Sequence, residues 1–136
     1  MNLVWKRGAD LDLGPHFKLK EFECKCGRCS EQTLSRELLS RLQQVREKFG
    51  KPITVTSAFR CSAYQARLRG TLPVGHTALG TSTHEEGRAV DVTATDLDGL
   101  TKLLEAHFDS IGYANTFTHV DMRPAKPTGK RTWKYV

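Results

Sequence analysis

Two side chains that commonly bind zinc stand close together in the sequence, near a short apolar segment. Asp91 lies within Ala89-Val90-Asp91-Val92, where the alternation of a β-strand places its carboxylate on the face opposite the two valines. If the space beside that face is enclosed, the carboxylate needs a cation or strong hydrogen-bond donors, because an unpaired buried charge is costly. His84 precedes the strand, and Gly87 allows the intervening loop to fold back over it. A neutral imidazole and a carboxylate so placed suit zinc, whereas a solvent-exposed Asp91 would need no partner.

A second histidine and carboxylate follow in the last apolar segment, Phe117-Thr118-His119-Val120-Asp121-Met122. As a strand, this segment projects His119 and Asp121 from one face, about 6.5 Å apart. One of them can bind a metal while the other orients it or handles a proton. A single histidine in a strand is more often a hydrogen-bonded surface residue. The combination of His84, Asp91 and His119 favours a metal site.

The cysteines form a separate candidate site. Three of the four lie within six residues, and the full set is Cys24, Cys26, Cys29 and Cys61. Such crowding is more typical of thiolates that converge on a metal than of a disulfide scaffold. No secretory signal follows Met1, so we expect synthesis in a reducing cytoplasm, which disfavours disulfides. The residues leave open both a structural zinc ion and one or two disulfides.

Periodicity predicts the elements that position these groups. The steps between Leu34, Leu38, Leu42, Val45 and Phe49 indicate a helix over residues 33–49, capped by Ser30 or Thr33. A second helix is expected over 97–108, capped by Asp96, and a short one over 62–68. The predicted strands are 53–57, 88–92, 110–113 and 117–122. Residues 1–29 are expected to be irregular, as is the tail after Pro124 until Trp133 and Tyr135. Helices that flank a small, mostly antiparallel sheet make an α+β fold.

Length and charge narrow the class of protein. The 136 residues suit one domain over 1–136, and no apolar run approaches the roughly 20 residues of a membrane helix. A net charge of +6 suits an anionic partner such as a cell-wall polymer, although a basic solvated surface needs no partner. No basic helix with interleaved aromatic residues is present, so we expect no nucleic-acid partner. We also expect a monomer.

The order of these motifs resembles that of a known family. The string Ser82-Thr83-His84-Glu85-Glu86-Gly87-Arg88-Ala89-Val90-Asp91 resembles the Ser-x-His-x-x-Gly-x-Ala-x-Asp signature of zinc D-Ala-D-Ala carboxypeptidases, a group that includes phage cell-wall endopeptidases. Thr118-His119-Val120-Asp121 is similar to the strand of that family's third ligand. Ser57-Ala58-Phe59-Arg60-Cys61 is similar to its Ser-x-x-Arg segment. Phe17 to Phe22 with the cysteines resembles members that open with Phe-x-Cys-x-Cys, so the likeness covers roughly residues 16–133.

The resemblance implies a fold shared with the hedgehog signalling domain and a catalytic zinc ion. Its ligands would be His84, Asp91 and His119, with a fourth position for a water molecule that becomes the nucleophile. Arg60 matches the arginine that faces the substrate and helps to stabilise the oxyanion. Ser82 matches a serine near the metal, which we interpret as an orienting residue.

One position departs from the family pattern. Many relatives carry a glutamate general base three residues before the last histidine, where this chain has Thr116. The nearest substitute is Asp121, on the same strand face as His119. Glu85 and Glu86 are weaker candidates, because both are expected to be solvated loop charges.

The resemblance therefore implies a zinc peptidase that cleaves the stem or cross-link peptides of bacterial peptidoglycan, as a carboxypeptidase or an endopeptidase. A phage endolysin released through a holin-type membrane hole would fit, as would a bacterial wall-remodelling enzyme. The missing glutamate favours the alternative of a non-catalytic zinc module that binds peptidoglycan or a protein. A nucleic-acid-binding zinc finger would leave Asp91 and His119 unexplained. The loop over 72–80, with His76, is either a wall of the cleft or an ordinary surface loop.

Overall fold

A computed structural model describes residues 1–65 and 83–135. Its main feature is a five-stranded sheet, formed by β3 Thr54–Ser57, β4 Ala89–Thr93, β5 Ser110–Tyr113, β6 Thr118–Asp121 and β7 Arg131–Lys134. The order of the strands across the sheet is β3-β4-β6-β5-β7. All neighbouring strands are antiparallel except β5 and β7, which are parallel. The predicted α+β fold with a mostly antiparallel sheet is therefore confirmed.

Two helices cover the apolar face of this sheet. They are α1, Arg36–Phe49, and α2, Leu97–His107, and they pack against each other. The buried core joins apolar side chains from both helices to those of the strands: Leu38, Leu42, Val45, Leu100, Leu104, Val90, Val92, Ile111 and Val120. Val90 and Val92 thus face the core, as the alternation predicted, and the opposite face of β4 is left for Asp91.

The N-terminal prediction was wrong in two places. Residues Asn2–Lys6 form β1 and pair in antiparallel register with β2, Glu31–Ser35, while Leu19–Phe22 form a 3-10 helix. Strand β2 includes residues 33–35, which the periodicity assigned to the first helix, so α1 begins only at Arg36. The N-cap of α1 is therefore Ser35, whose Oγ accepts a hydrogen bond from Leu38 N at 3.2 Å. Pairing with a strand distant in sequence overrides the local helical period here. The Asp96 cap is confirmed, since its side chain accepts from Gly99 N.

The C-terminal tail also differs from the expectation. Residues Arg131–Lys134 form β7 and extend the sheet next to β5, where irregular structure was expected as far as Trp133. Residues 62–65 are helical, in agreement with the first part of the predicted helix over 62–68. The rest of that helix, the loop with His76 and the orienting candidate Ser82 lie outside the described residues. Within 1–65 and 83–135, no helix has the length and apolarity to cross a membrane.

One transverse row of side chains crosses all five strands on the face away from the helices. The directly paired residues are Ser57, Asp91, His119, Gly112 and Trp133, in that order across the sheet. A bulge between Val55 and Ser57 shifts the register of β3. Two β3 residues therefore oppose one on β4, and Ser57 is brought beside Asp91. The sheet register alone thus gathers groups from five separate chain segments.

Gly87 and Gly50 provide a test of how tightly the loop of His84 is held. Their φ angles are nearly equal, +69° and +70°, in the left-handed region that side chains with a Cβ rarely adopt. A Cβ on Gly87 would lie 2.5 Å from the backbone oxygen of Thr33, whereas a Cβ on Gly50 would meet nothing within 4 Å. Gly50→Ala should lower the free energy of unfolding by about 1–2 kcal/mol, the cost of the left-handed conformation. Gly87→Ala should lower it by about 1–3 kcal/mol more, because overpacking adds to that cost.

The two variants can be compared by chemical denaturation at a fixed zinc concentration, since bound metal itself shifts stability. Equal losses in the two variants would contradict the tight contact between the His84 loop and β2.

Candidate active site

Three potential ligands converge on the face of the sheet away from the helices. One ligand atom from each of His84, Asp91 and His119 lies within 4.8 Å of the others, and each residue is no more than 5% exposed. Asp91 Oδ1 lies 3.4 Å from His84 Nε2 and 2.8 Å from His119 Nδ1. Two atoms bound to the same tetrahedral zinc at about 2 Å lie about 3.3 Å apart. Two imidazoles and a carboxylate at this spacing form a donor set that fits zinc.

His84 is oriented by its backbone surroundings. Its Nδ1 lies 2.6 Å from the carbonyl oxygen of Ala58, which can only accept, so Nδ1 carries the proton and Nε2 points towards Asp91 without one. The carbonyl of His84 accepts in turn from Arg60 N at 3.1 Å. Burial lowers the pKa of His84, and the charge of Arg60 adds to this. The neutral imidazole is the form that binds metals.

His119 lies between two carboxylates. Its Nδ1 is 2.8 Å from Asp91 Oδ1, and its Nε2 is 2.8 Å from Asp121 Oδ2. Burial alone would lower the pKa of His119, but the hydrogen bonds and charges of the two carboxylates raise it. Burial likewise opposes ionisation of both carboxyls, yet their imidazole partners hold the pKa of Asp91 and that of Asp121 well below the usual range. Both carboxylates are therefore ionised at neutral pH.

Asp121 is fixed on its other side by Arg123. The guanidinium donates from Nε to Asp121 Oδ1 and from Nη2 to Oδ2, each at 3.0 Å, and Arg123 N donates to Oδ1 at 3.0 Å. The Asp121 side chain has no exposed surface. Both of its oxygens are thus occupied, by Arg123 and His119. Sequence reasoning did not assign Arg123 to the site. Its position two residues after Asp121, at the end of a strand, could have indicated that the two side chains pair.

Arg60 lies on the Asp91 side of the site. Its Nη2 donates to Asp91 Oδ2 at 3.0 Å, its Nε to Ser57 Oγ at 3.0 Å and its Nη1 to Gln65 Oε1 at 3.3 Å. The β-bulge that aligns Ser57 with Asp91 therefore also supports the guanidinium. Together, His119 and Arg60 compensate the buried charge of Asp91, which would otherwise be costly.

Trp133 and Tyr135 form an aromatic wall beside His119, and sequence reasoning did not assign them to the site. Their ring centroids lie 5.2 and 6.4 Å from that of His119. Burial and the charge of Asp91 raise the pKa of Tyr135 to about 12, so its phenol stays neutral. Gly112 makes room for the wall, because a Cβ there would lie 2.6 Å from Trp133 and 2.7 Å from Tyr135. The two-residue spacing of the aromatic residues in the tail was the signal for a strand with one functional face.

The four cysteines form a second cluster close by. One sulfur from each of Cys24, Cys26, Cys29 and Cys61 lies within 4.8 Å of the others, and all four are free thiols. Burial raises the pKa of Cys24 to about 12. Burial would also raise the pKa of Cys26, but hydrogen bonds from the backbone N–H groups of Cys29 and Arg28 outweigh it and lower that pKa to about 6.

Comparisons with known proteins show which protein family the chain belongs to. A comparison with curated proteins found no match. The family model described as Peptidase M15 matches residues 15–121. The matched region contains both the His84–Asp91–His119 group and the four cysteines, and it ends at Asp121, before the aromatic wall. The match confirms the resemblance to the zinc D-Ala-D-Ala peptidases, and the chain belongs to the Peptidase M15 family of metallopeptidases.

Proposed function

We propose that the protein is a zinc-dependent peptidase that hydrolyses peptide bonds in the stem or cross-link peptides of bacterial peptidoglycan. The observation that carries the proposal is the convergence of His84 Nε2, Asp91 Oδ1 and His119 Nδ1 in a buried site of a chain that belongs to Peptidase M15. These three residues would hold one zinc ion. When bound, zinc polarises a carbonyl group and lowers the pKa of a water molecule to near neutrality.

The protein itself supplies a rigid and dry set of ligands. His84 is held in one tautomer by the Ala58 carbonyl, and Asp91 is held by Arg60. Because all three ligand side chains are buried, their charges and dipoles act in a medium that screens them weakly. We propose that Arg60 also presents positive charge where the negative charge of a tetrahedral oxygen develops, since the guanidinium borders the site and is partly exposed.

The geometry favours a positioning role for Asp121, different from the general base that the sequence suggested. In zinc sites, the second ring nitrogen of a histidine ligand commonly donates to a carboxylate, which fixes the ring and raises its basicity. With His119 Nδ1 directed at Asp91, Nε2–H donates to Asp121 in this way. The Arg123 contacts leave Asp121 poorly placed to accept a further proton at neutral pH.

The substrate class is supported by charge and by the family. The net charge of +6 favours residence near an anionic wall polymer, and the zinc D-Ala-D-Ala peptidases act on wall peptides. We propose that the protein acts on the cell wall as a single-domain monomer, either as an endolysin or in wall remodelling.

A second candidate is a non-catalytic zinc module that binds peptidoglycan. Thr116 in place of the family glutamate favours it, as does the full engagement of Asp121. Purified protein would separate the two functions. A peptidase clarifies a peptidoglycan suspension and releases peptides, whereas a binder sediments with the wall and leaves the turbidity unchanged.

Replacement of a ligand tests the metal site directly. His84→Ala should abolish peptide release from peptidoglycan and remove the zinc of this site, because two ligands bind the ion too weakly. Metal analysis, circular dichroism and mass spectrometry of the wall fragments measure the change. His107→Ala, at the end of α2, is the matched control and should behave like the wild type. Full activity of a folded His84→Ala protein would contradict the proposed site.

The role of Asp121 can be separated from that of a general base. Asp121→Asn should weaken zinc binding by about 10–100-fold, the usual effect of losing a carboxylate that supports a ligand. Excess zinc should then restore most of the turnover. Asp109→Asn, at an exposed position, serves as the control. If turnover remained lost with the site saturated by zinc, Asp121 would be a proton acceptor instead.

The aromatic wall can be tested through Gly112. The methyl group of Gly112→Ala would overlap Trp133 and Tyr135, so both rings should move away from His119. We expect slower peptide release at unchanged zinc content, together with a change in tryptophan fluorescence. Fluorescence that changes without any loss of activity would show that the wall does not contribute to turnover.

A further inference from the structure

We propose that the four cysteines bind a structural zinc ion, separate from the candidate active site, through Cys24, Cys26, Cys29 and Cys61. Their sulfur atoms lie within 4.8 Å of one another, and the Cys26 and Cys61 sulfurs are 3.8 Å apart. Sulfurs bound to one tetrahedral zinc at about 2.3 Å are about 3.8 Å apart. Four thiolates around zinc are a common structural coordination in proteins.

Backbone N–H groups are directed at the sulfurs. Arg28 N and Cys29 N each donate to Cys26 Sγ at 3.3 Å, and Cys61 N donates to Cys24 Sγ at 3.3 Å. The turn that aims the first two donors passes through Gly27, whose φ is +72°. Successive N–H groups in a turn form a concavity for negative charge, which suits sulfur bound as thiolate.

Side chains from outside the cysteine segment complete the surroundings. Arg7 Nη2 lies 3.5 Å from Cys29 Sγ, and Gln32 Nε2 lies 3.3 Å from the same sulfur. Arg7 also donates to the carbonyl oxygens of Cys24 and Cys29. Four thiolates and one Zn²⁺ carry a net charge of −2, so a guanidinium beside them is favourable. Contacts of this kind orient ligands and tune a metal site.

The same donors argue against disulfides. A disulfide sulfur is neutral and a weak acceptor, so the N–H groups aimed at Cys24 and Cys26 would lose most of their favourable interactions. Two disulfides would also have to pair two cysteines of the segment Cys24–Cys29 with each other, within six residues. A single metal ion uses all four sulfurs in the arrangement that the structure presents.

The zinc ion would also tie the N-terminal segment to the candidate active site. Three consecutive N–H groups around Arg60 are anchored: Phe59 N to Phe22 O, Arg60 N to His84 O and Cys61 N to Cys24 Sγ. Two of these anchors come from the 3-10 helix and the cysteine segment that follows it. Because Arg60 bonds Asp91, a fixed position for Cys61 fixes the guanidinium that supports the candidate ligand.

Zinc content separates the two sites. Wild-type protein should carry two zinc ions per chain, Cys26→Ser one, and His84→Ala one. Lys25→Ser, an exposed neighbour that places the same new residue beside intact thiols, is the matched control and should carry two. If His84, Asp91 and His119 bound no zinc and this inference held, the wild type would carry one zinc, lost in Cys26→Ser and kept in His84→Ala. As much zinc in Cys26→Ser as in Lys25→Ser would overturn the inference.

A second experiment leaves the cysteines intact, so its result does not depend on whether Cys26→Ser folds. A thiol-specific mercurial should release one zinc per chain from folded His84→Ala, as read by a chromogenic chelator. Cobalt substitution of the same protein should give the intense thiolate-to-metal absorption that an imidazole and carboxylate site lacks. Absence of both signals, or an intact mass lower by two hydrogens per cysteine pair with no bound metal, would overturn the inference.

Discussion

The buried charge of Asp91 is the constraint on which the arrangement of the site depends. A carboxylate that is only 5% exposed must find donors or a cation inside the protein. It receives them from His119 on the neighbouring strand and from Arg60 beyond β3, while the unprotonated Nε2 of His84, on the preceding loop, lies 3.4 Å from the carboxylate. Each partner lies on a different chain segment, so the sheet register, the left-handed turn before β4 and the bulge in β3 must all be correct together.

Further hydrogen bonds around the site do not follow from the buried charge of Asp91 alone. Asp121 holds the far nitrogen of His119 and is itself held by two nitrogens of the Arg123 guanidinium and by its backbone N–H. On the opposite side, Arg60 N donates to the carbonyl of His84, and the next residue, Cys61, donates through its N–H to Cys24 Sγ. Rigid support of this kind costs side-chain freedom during folding and would reduce the rearrangement needed to bind the proposed metal and substrate.

Local patterns predicted much of the central fold. The strand alternation around Asp91 and His119, the Asp96 cap and the two long helices depend on neighbours in sequence. The errors share one physical cause. β2 and β7 are held by strands that are distant in the chain, β1 and β5, so that strand pairing and not the local pattern decides their conformation. For the same reason, the residues at the start of the expected first helix became a strand.

The sequence by itself determined which chemistry was available: two histidines and an aspartate in a family signature, a cluster of thiols and a basic surface. Tertiary structure alone decided which of these groups contact one another. It placed Arg123 on Asp121, Trp133 and Tyr135 beside His119, and the backbone donors on the cysteine sulfurs. The reason is that residue type and spacing record what a side chain can bind, whereas its partner is set by the pairing of strands and loops far apart along the chain.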